Sequence, residues 1–144
     1  MKYNKIYLFG GPGFGKTTIA EKLSADLGYK LISLDEIMFE NGHKMEEKTM
    51  IRKLKRAIRN ESVWLVEGGC LGWSDFLFKE ADLVIMLKVS PITALFRILK
   101  RYLHNKKFGF RSTLKLCFKT LPAYFDKKVA EYPYKARAKK VIET

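Results

Sequence analysis

Four short apolar runs punctuate the first two thirds of the chain: Ile6-Tyr7-Leu8-Phe9, Lys30 to Leu34, Val63 to Val66 and Leu83 to Val89. Each is continuous rather than alternating and is bounded by glycine or polar turn formers. That pattern predicts strands buried on both faces, as in a parallel sheet covered by helices. Segments with helical spacing lie between them. In Thr17 to Leu27 the residues Ile19, Ala20, Leu23 and Leu27 share one face, and Gly28 is placed to cap the C-terminus. Met45 to Asn60 carries a stripe of Met50, Ile51, Leu54 and Ile58. Ser90 can cap a helix with Pro91 at its first position, running to about His104. A further helix is expected from Ser112, with Leu114, Cys117, Phe118 and Leu121 on one face until Pro122. This alternation implies an open α/β sheet with right-handed crossovers and ligands at the carboxyl ends of its strands.

The length of 144 residues corresponds to about one domain, and 47% hydrophobic residues suffice for one core without disulfide or metal staples. A two-domain enzyme with separate cofactor and substrate modules is not expected. The net charge of +13 points to an anionic partner, whether phosphate ester, nucleic acid or membrane surface. Its distribution sharpens the picture: residues 1–96 carry 14 basic and 12 acidic side chains, residues 97–144 carry 14 and three. Cys70 and Cys117 have no paired spacing, so neither a zinc site nor a secreted disulfide framework is expected, and a reducing cytoplasm fits. The run Ile6 to Phe9 is too short for a signal-peptide core, and Leu83 to Leu87 ends at Lys88, so no membrane span is expected.

The chemistry is concentrated in Gly10-Gly11-Pro12-Gly13-Phe14-Gly15-Lys16-Thr17, which satisfies G-x-x-x-x-G-K-[ST] in full. Independent placement of this composition yields that pattern in roughly one shuffled chain per hundred, and the strand before and helix after it make chance a poorer explanation still. In such a loop the glycines let successive N–H groups and the helix N-terminus point at phosphate oxygens. Lys16 would reach the β- and γ-oxygens of ATP or GTP, Thr17 would ligate Mg²⁺, and residues Gly10 to Thr18 form the nucleotide-binding segment.

Carboxylates are expected at the same edge of the sheet. Asp35 and Glu36 follow the second run; Glu67 follows the third, where the buried strand meets the surface, and precedes Gly68-Gly69. Asp35 can accept a proton from an attacking hydroxyl or can cap the helix beginning Glu36-Ile37-Met38. Glu67 can hold a magnesium-bound water, and Gly68 and Gly69 permit close approach of backbone to substrate. Arg97 and Arg101, four residues apart, share a helix face. They read either as a lid pair that neutralises charge in phosphoryl transfer or as a solvated basic face. Arg111, Lys115 and Lys119 form a second basic stripe. Tyr124, Phe125, Tyr132 and Tyr134 lie among lysines, a mixture that suits weak, non-specific nucleic-acid contact or an ordinary core edge. Trp73 can stack on a base or pack beneath a loop.

The segment Ile6 to Thr18 resembles the phosphate loop of adenylate-kinase-like proteins. Leu34-Asp35, Trp64-Leu65-Val66-Glu67-Gly68, Ala81-Asp82-Leu83-Val84-Ile85 and Arg97-Ile98-Leu99-Lys100-Arg101 together resemble the DNA topology modulation proteins, small adenylate-kinase-related P-loop proteins. The resemblance covers nearly the whole chain and implies a three-layer P-loop NTPase fold, a mostly parallel sheet of about five strands and a helical lid bearing Arg97 and Arg101. That family usually has Asp where Glu67 stands. It begins its last strand where this chain reaches Val141 to Thr144, so that strand is expected to be cut short. Residues 1–144 are read as one kinase-like domain with a basic helical region from about residue 91. Two function classes follow. One is a magnesium-dependent phosphotransferase acting on a small acceptor; the other is a nucleic-acid-associated NTPase or regulator whose basic last third binds DNA or RNA.

Overall fold

The computed structural model describes residues 3–69, 72–104 and 141–143. Five parallel strands form one sheet: β1 (Lys5–Gly10), β2 (Lys30–Ser33), β5 (Trp64–Gly68), β6 (Leu83–Leu87) and β7 (Val141–Glu143). Their spatial order is β2-β5-β1-β6-β7. β1 is central, pairing with β5 from Lys5↔Trp64 to Phe9↔Gly68 and with β6 from Ile6↔Leu83 to Gly10↔Leu87. The chain leaves β1 toward one flank and later returns to the other, so the end of β1 is the topological switch point at which such sheets bind ligands.

Side chains of β1 alternate between two cores because the strand is covered on both faces. Ile6 packs with Ala20 of helix α1 (Lys16–Leu27) and with Leu65 and Leu83. Tyr7 and Phe9 face a larger cluster containing Leu34 of α2 (Leu34–Met38), Met50 and Leu54 of α3 (Glu47–Arg59), and Leu77 and Phe78 of α4 (Leu77–Glu80). The result is helix, sheet, helix. Within the larger core Phe78 sets its ring edgewise on Tyr7 and Phe9, at centroid separations of 5.2 and 5.4 Å. Gly28 adopts φ 65° and donates its N–H to the Ser24 carbonyl, ending α1 as expected. Ser90 Oγ accepts the Thr93 N–H at 3.1 Å, capping α5 (Pro91–His104) with Pro91 in its first position.

The sequence pattern omits a two-stranded hairpin, β3 (Phe39–Glu40) and β4 (His43–Lys44), and the short helix α4; the helix expected from Glu36 is α2, which begins two residues earlier, at Leu34. The hairpin turns through Asn41 and Gly42 at φ 51° and 79°, the positive-φ pair a tight two-residue turn requires. Strands of two residues are too short to display a period. The expected helix from Ser112, the stripe of Arg111, Lys115 and Lys119, the aromatic cluster from Tyr124 to Tyr134, Cys70 and Cys117 lie outside the described residues. Among those described, no helix is long and apolar enough to cross a membrane.

Candidate nucleotide site

The loop from Gly10 to Gly15 joins β1 to α1 at the carboxyl end of the sheet. Gly13 and Gly15 have φ 77° and 82°, in the left-handed region where glycine is unstrained. A Cβ on Gly13 would also lie 2.7 Å from the Ala94 carbonyl oxygen, so α5 rests directly on the loop. Phe14 is sequestered with Leu8, Leu87 and Ala94. Its ring anchors the loop from beneath and leaves the backbone of the loop toward the cavity. Gly15 occupies the N-cap of α1, where no side chain bonds the exposed amides and no acidic residue occupies the first turn. These orphan N–H groups and the helix dipole favour an anion. A cavity of about 550 Å³ opens there, bordered by residues 12–19 together with Arg97, Ile98 and Arg101.

Lys16 Nζ donates to the Gly11 carbonyl at 3.1 Å. Burial pushes its ammonium below the ordinary lysine pKa; the nearby carboxylates of Glu67 and Asp35 pull it back up, and Arg101 opposes them. The two acids and one of the arginines singled out in the sequence therefore share one electrostatic field with this lysine.

Several expected placements change. Glu67 is not at the surface: β5 runs on to Gly68, and Glu67 lies within it at 3% exposure, accepting the Ser33 hydroxyl at 2.8 Å. Ser33 and Glu67 are register partners across β2 and β5, so the donor is supplied by the neighbouring strand. A buried carboxylate without such partners would be costly. Asp35 is not a helix cap, because α2 begins at Leu34 with Ser33 at the N-cap; Asp35 is exposed in the first turn. The space beside Gly68 is filled by Leu34, whose Cβ would be 2.6 Å from a Cβ placed there. Gly68 thus admits α2 rather than substrate. The Gly69 carbonyl accepts the Tyr7 hydroxyl at 3.0 Å. Trp73 is 8% exposed and packs in the larger core, so it offers no stacking platform, and its indole N–H has no hydrogen-bond partner among the described residues.

Arg97 and Arg101 both border the cavity but differ in their contacts. One Arg97 nitrogen, Nη1, donates to the Phe14 carbonyl at 3.2 Å and approaches that of Gly13 at 3.4 Å. A loop of this kind offers an anion its N–H groups, so an arginine on the carbonyls braces the other side of the peptide units. Sequence reading misses Ser33, Tyr7 and Leu34 as supports. Ser33 carries a legible signal, a hydroxyl at the end of a buried strand, but its partner lies 34 positions away.

Comparison with known proteins agrees with this fold. A cytidylate kinase of Saccharolobus islandicus is 29% identical over 137 residues, spanning 72% of this chain and 71% of its own. A shikimate kinase structure from Bacteroides thetaiotaomicron superposes with a TM-score of 0.69 at 19% identity, over 98% of this chain and 86% of that one. A deoxyadenosine kinase structure from M. mycoides with bound dATP superposes with a TM-score of 0.58 at 18% identity, over 97% and 90% of the two chains. At those identities the structural likeness is one of fold. The family model described as AAA domain matches residues 9–107, from the last apolar residue before the glycine loop to the end of α5 and just beyond, and the chain belongs to this P-loop family.

Proposed function

We propose that residues 1–144 act as one kinase-like domain that moves the γ-phosphoryl group of ATP or GTP to a hydroxyl or phosphate oxygen of a small acceptor, a nucleoside or nucleotide being the leading class. The observation that carries this reading is the convergence at Lys16: a partly desolvated ammonium at an uncapped helix N-terminus, coupled to two carboxylates and an arginine beside one cavity. A module that only binds anions has no use for carboxylates there, since they repel phosphate. The narrower resemblance to DNA topology modulation proteins belongs to the same proposal.

The acceptor oxygen attacks the γ-phosphorus while the bond to the β,γ-bridging oxygen breaks, leaving the nucleoside diphosphate. Backbone N–H groups of residues 10–18 and Lys16 hold the phosphates, and Asp35, exposed at the carboxyl edge, takes the proton of an acceptor hydroxyl. Thr17 is exposed at the cavity, and Glu67 is withdrawn beside Lys16. That pair suits magnesium held chiefly by phosphate oxygens and water, with Thr17 as direct ligand and Glu67 acting through a water. Magnesium would neutralise charge on the β- and γ-oxygens. Arg97 braces the loop, and Arg101, in the basic helical region that serves as lid, meets charge that develops during transfer.

The test is a screen of nucleosides, nucleotides and small hydroxylated acids with labelled ATP and magnesium, with Lys16→Ala as control. Transfer to at least one acceptor, abolished in the variant, is expected. No transfer to any acceptor, with nucleotide bound normally, overturns the proposal.

A further inference from the structure

A second concentration of charge lies outside the nucleotide site. Lys48, Arg52, Lys55, Arg56 and Arg59 of α3 are all exposed and border a shallow groove of about 540 Å³ with no acidic side chain on its walls. The groove shares no residue with the phosphate cavity. Four of the five follow the i, i+4, i+7, i+11 spacing that aligns side chains on a helix, with Arg56 alongside. Met50 and Leu54 bury the opposite side of α3 in the core, so the row is held rigidly outward.

Charge pairing separates this row from an ordinary solvated face. Lys53, on the other flank of the helix, pairs with Glu40 at 2.8 Å. None of the five is ion-paired with a carboxylate among the described residues, and Lys55 instead lies over the Phe76 ring. Lys48 and Arg52, Arg52 and Arg56, and Lys55 and Arg59 are like-charged at i, i+4, an arrangement that destabilises a helix unless a counter-charge covers it. Lys48 and Arg59 are 11 residues apart, which at the helical rise is about 16 Å. The backbone of a nucleic-acid duplex carries phosphates in an unbroken line, so a row of that length can meet several of them, whereas the short triphosphate of a single nucleotide cannot reach from one end of it to the other.

We infer that the outer face of α3 is a binding surface for the phosphate backbone of a nucleic-acid duplex. Recognition is through backbone charge without base reading, since the side chains form one straight row on a helix seated flat on its own core.

The test measures anisotropy of a labelled 20-base-pair duplex across a salt series for the whole chain and for the triple variant Arg52→Gln, Arg56→Gln, Arg59→Gln. Loss of three phosphate contacts should reduce the slope of log affinity against log salt by about two to three and weaken binding about tenfold or more near 0.1 M salt. The triple Lys variant should keep the slope, and ATP affinity, unchanged in all three proteins, should report an intact fold. An unaltered slope in the Gln variant assigns DNA binding to the basic residues beyond α5 and overturns the inference. So does absence of duplex binding in the unsubstituted chain, or displacement of the duplex by tripolyphosphate at equal phosphate concentration.

Discussion

Replacing Arg97 by alanine separates bracing of the loop from participation in the transition state. The guanidinium makes one contact at 3.2 Å and another at 3.4 Å, both at the long end for N–H···O bonds, and its side chain is exposed. A hydrogen bond from a charged group contributes about 1.5–3 kcal/mol when well formed and desolvated. Distance and solvent screening reduce that to about 1 kcal/mol here. The loss is felt where the loop must hold its phosphate-binding shape, in the ground state and the transition state alike, so nucleotide affinity should fall about fivefold with kcat nearly preserved. Arg101→Ala should show the opposite split, with kcat reduced by ~10³-fold or more and KM for nucleotide little changed. Steady-state kinetics of both variants, with nucleotide Kd from calorimetry, make the comparison. Arg97→Lys should recover part of the affinity, because an ammonium can still donate to a carbonyl. A fall in kcat of a hundredfold for Arg97→Ala at unchanged Kd would refute the reasoning, since the guanidinium would then leave the carbonyls to act on the transferring group.

Asp35→Asn retains shape and hydrogen bonding without the charge, so phosphoryl transfer should fall by ~10²–10⁴-fold while nucleotide Kd holds, as single-turnover assays can show. Because burial lowers the pKa of Lys16 and bound phosphate raises it, nucleotide binding should take up protons on the alkaline side and weaken as pH rises through the lowered value. Calorimetry in buffers of different ionisation enthalpy measures that uptake. The same shift sets a stability sign: the penalty of burying the charged amine is complete below the folded pKa and is relieved as pH climbs toward the unfolded value of about 10.5. Gly68→Ala places a methyl group 2.6 Å from Leu34 Cβ and should destabilise the fold by about 1–3 kcal/mol, seen as a lower denaturant midpoint at unchanged slope.

Local rules were enough for much of this protein. The strands β1, β2, β5 and β6, the helices α1, α3 and α5, the Gly28 and Ser90 caps and the glycine loop are written in contiguous residues, because backbone preference, capping and a buried strand act over a few positions. Even the loop's place at the sheet edge follows from strand before and helix after. What needed the tertiary structure is everything that depends on which segment lies beside which. Glu67 reads as a surface acid until β2 brings Ser33 against it, 34 residues away in the chain. Gly68 reads as room for substrate until Leu34 fills it. Arg97 and Arg101 are equivalent on a helical wheel and become different only because α5 settles on Gly13 with one guanidinium over the loop carbonyls. The basic row of α3 was hidden for another reason: averaged over residues 1–96 its cations are balanced by acids elsewhere, and only folding shows that those acids do not share its face. Covalent neighbours set conformation, but burial, charge pairing and steric exclusion are properties of the surroundings, and those exist only once the sheet has assembled.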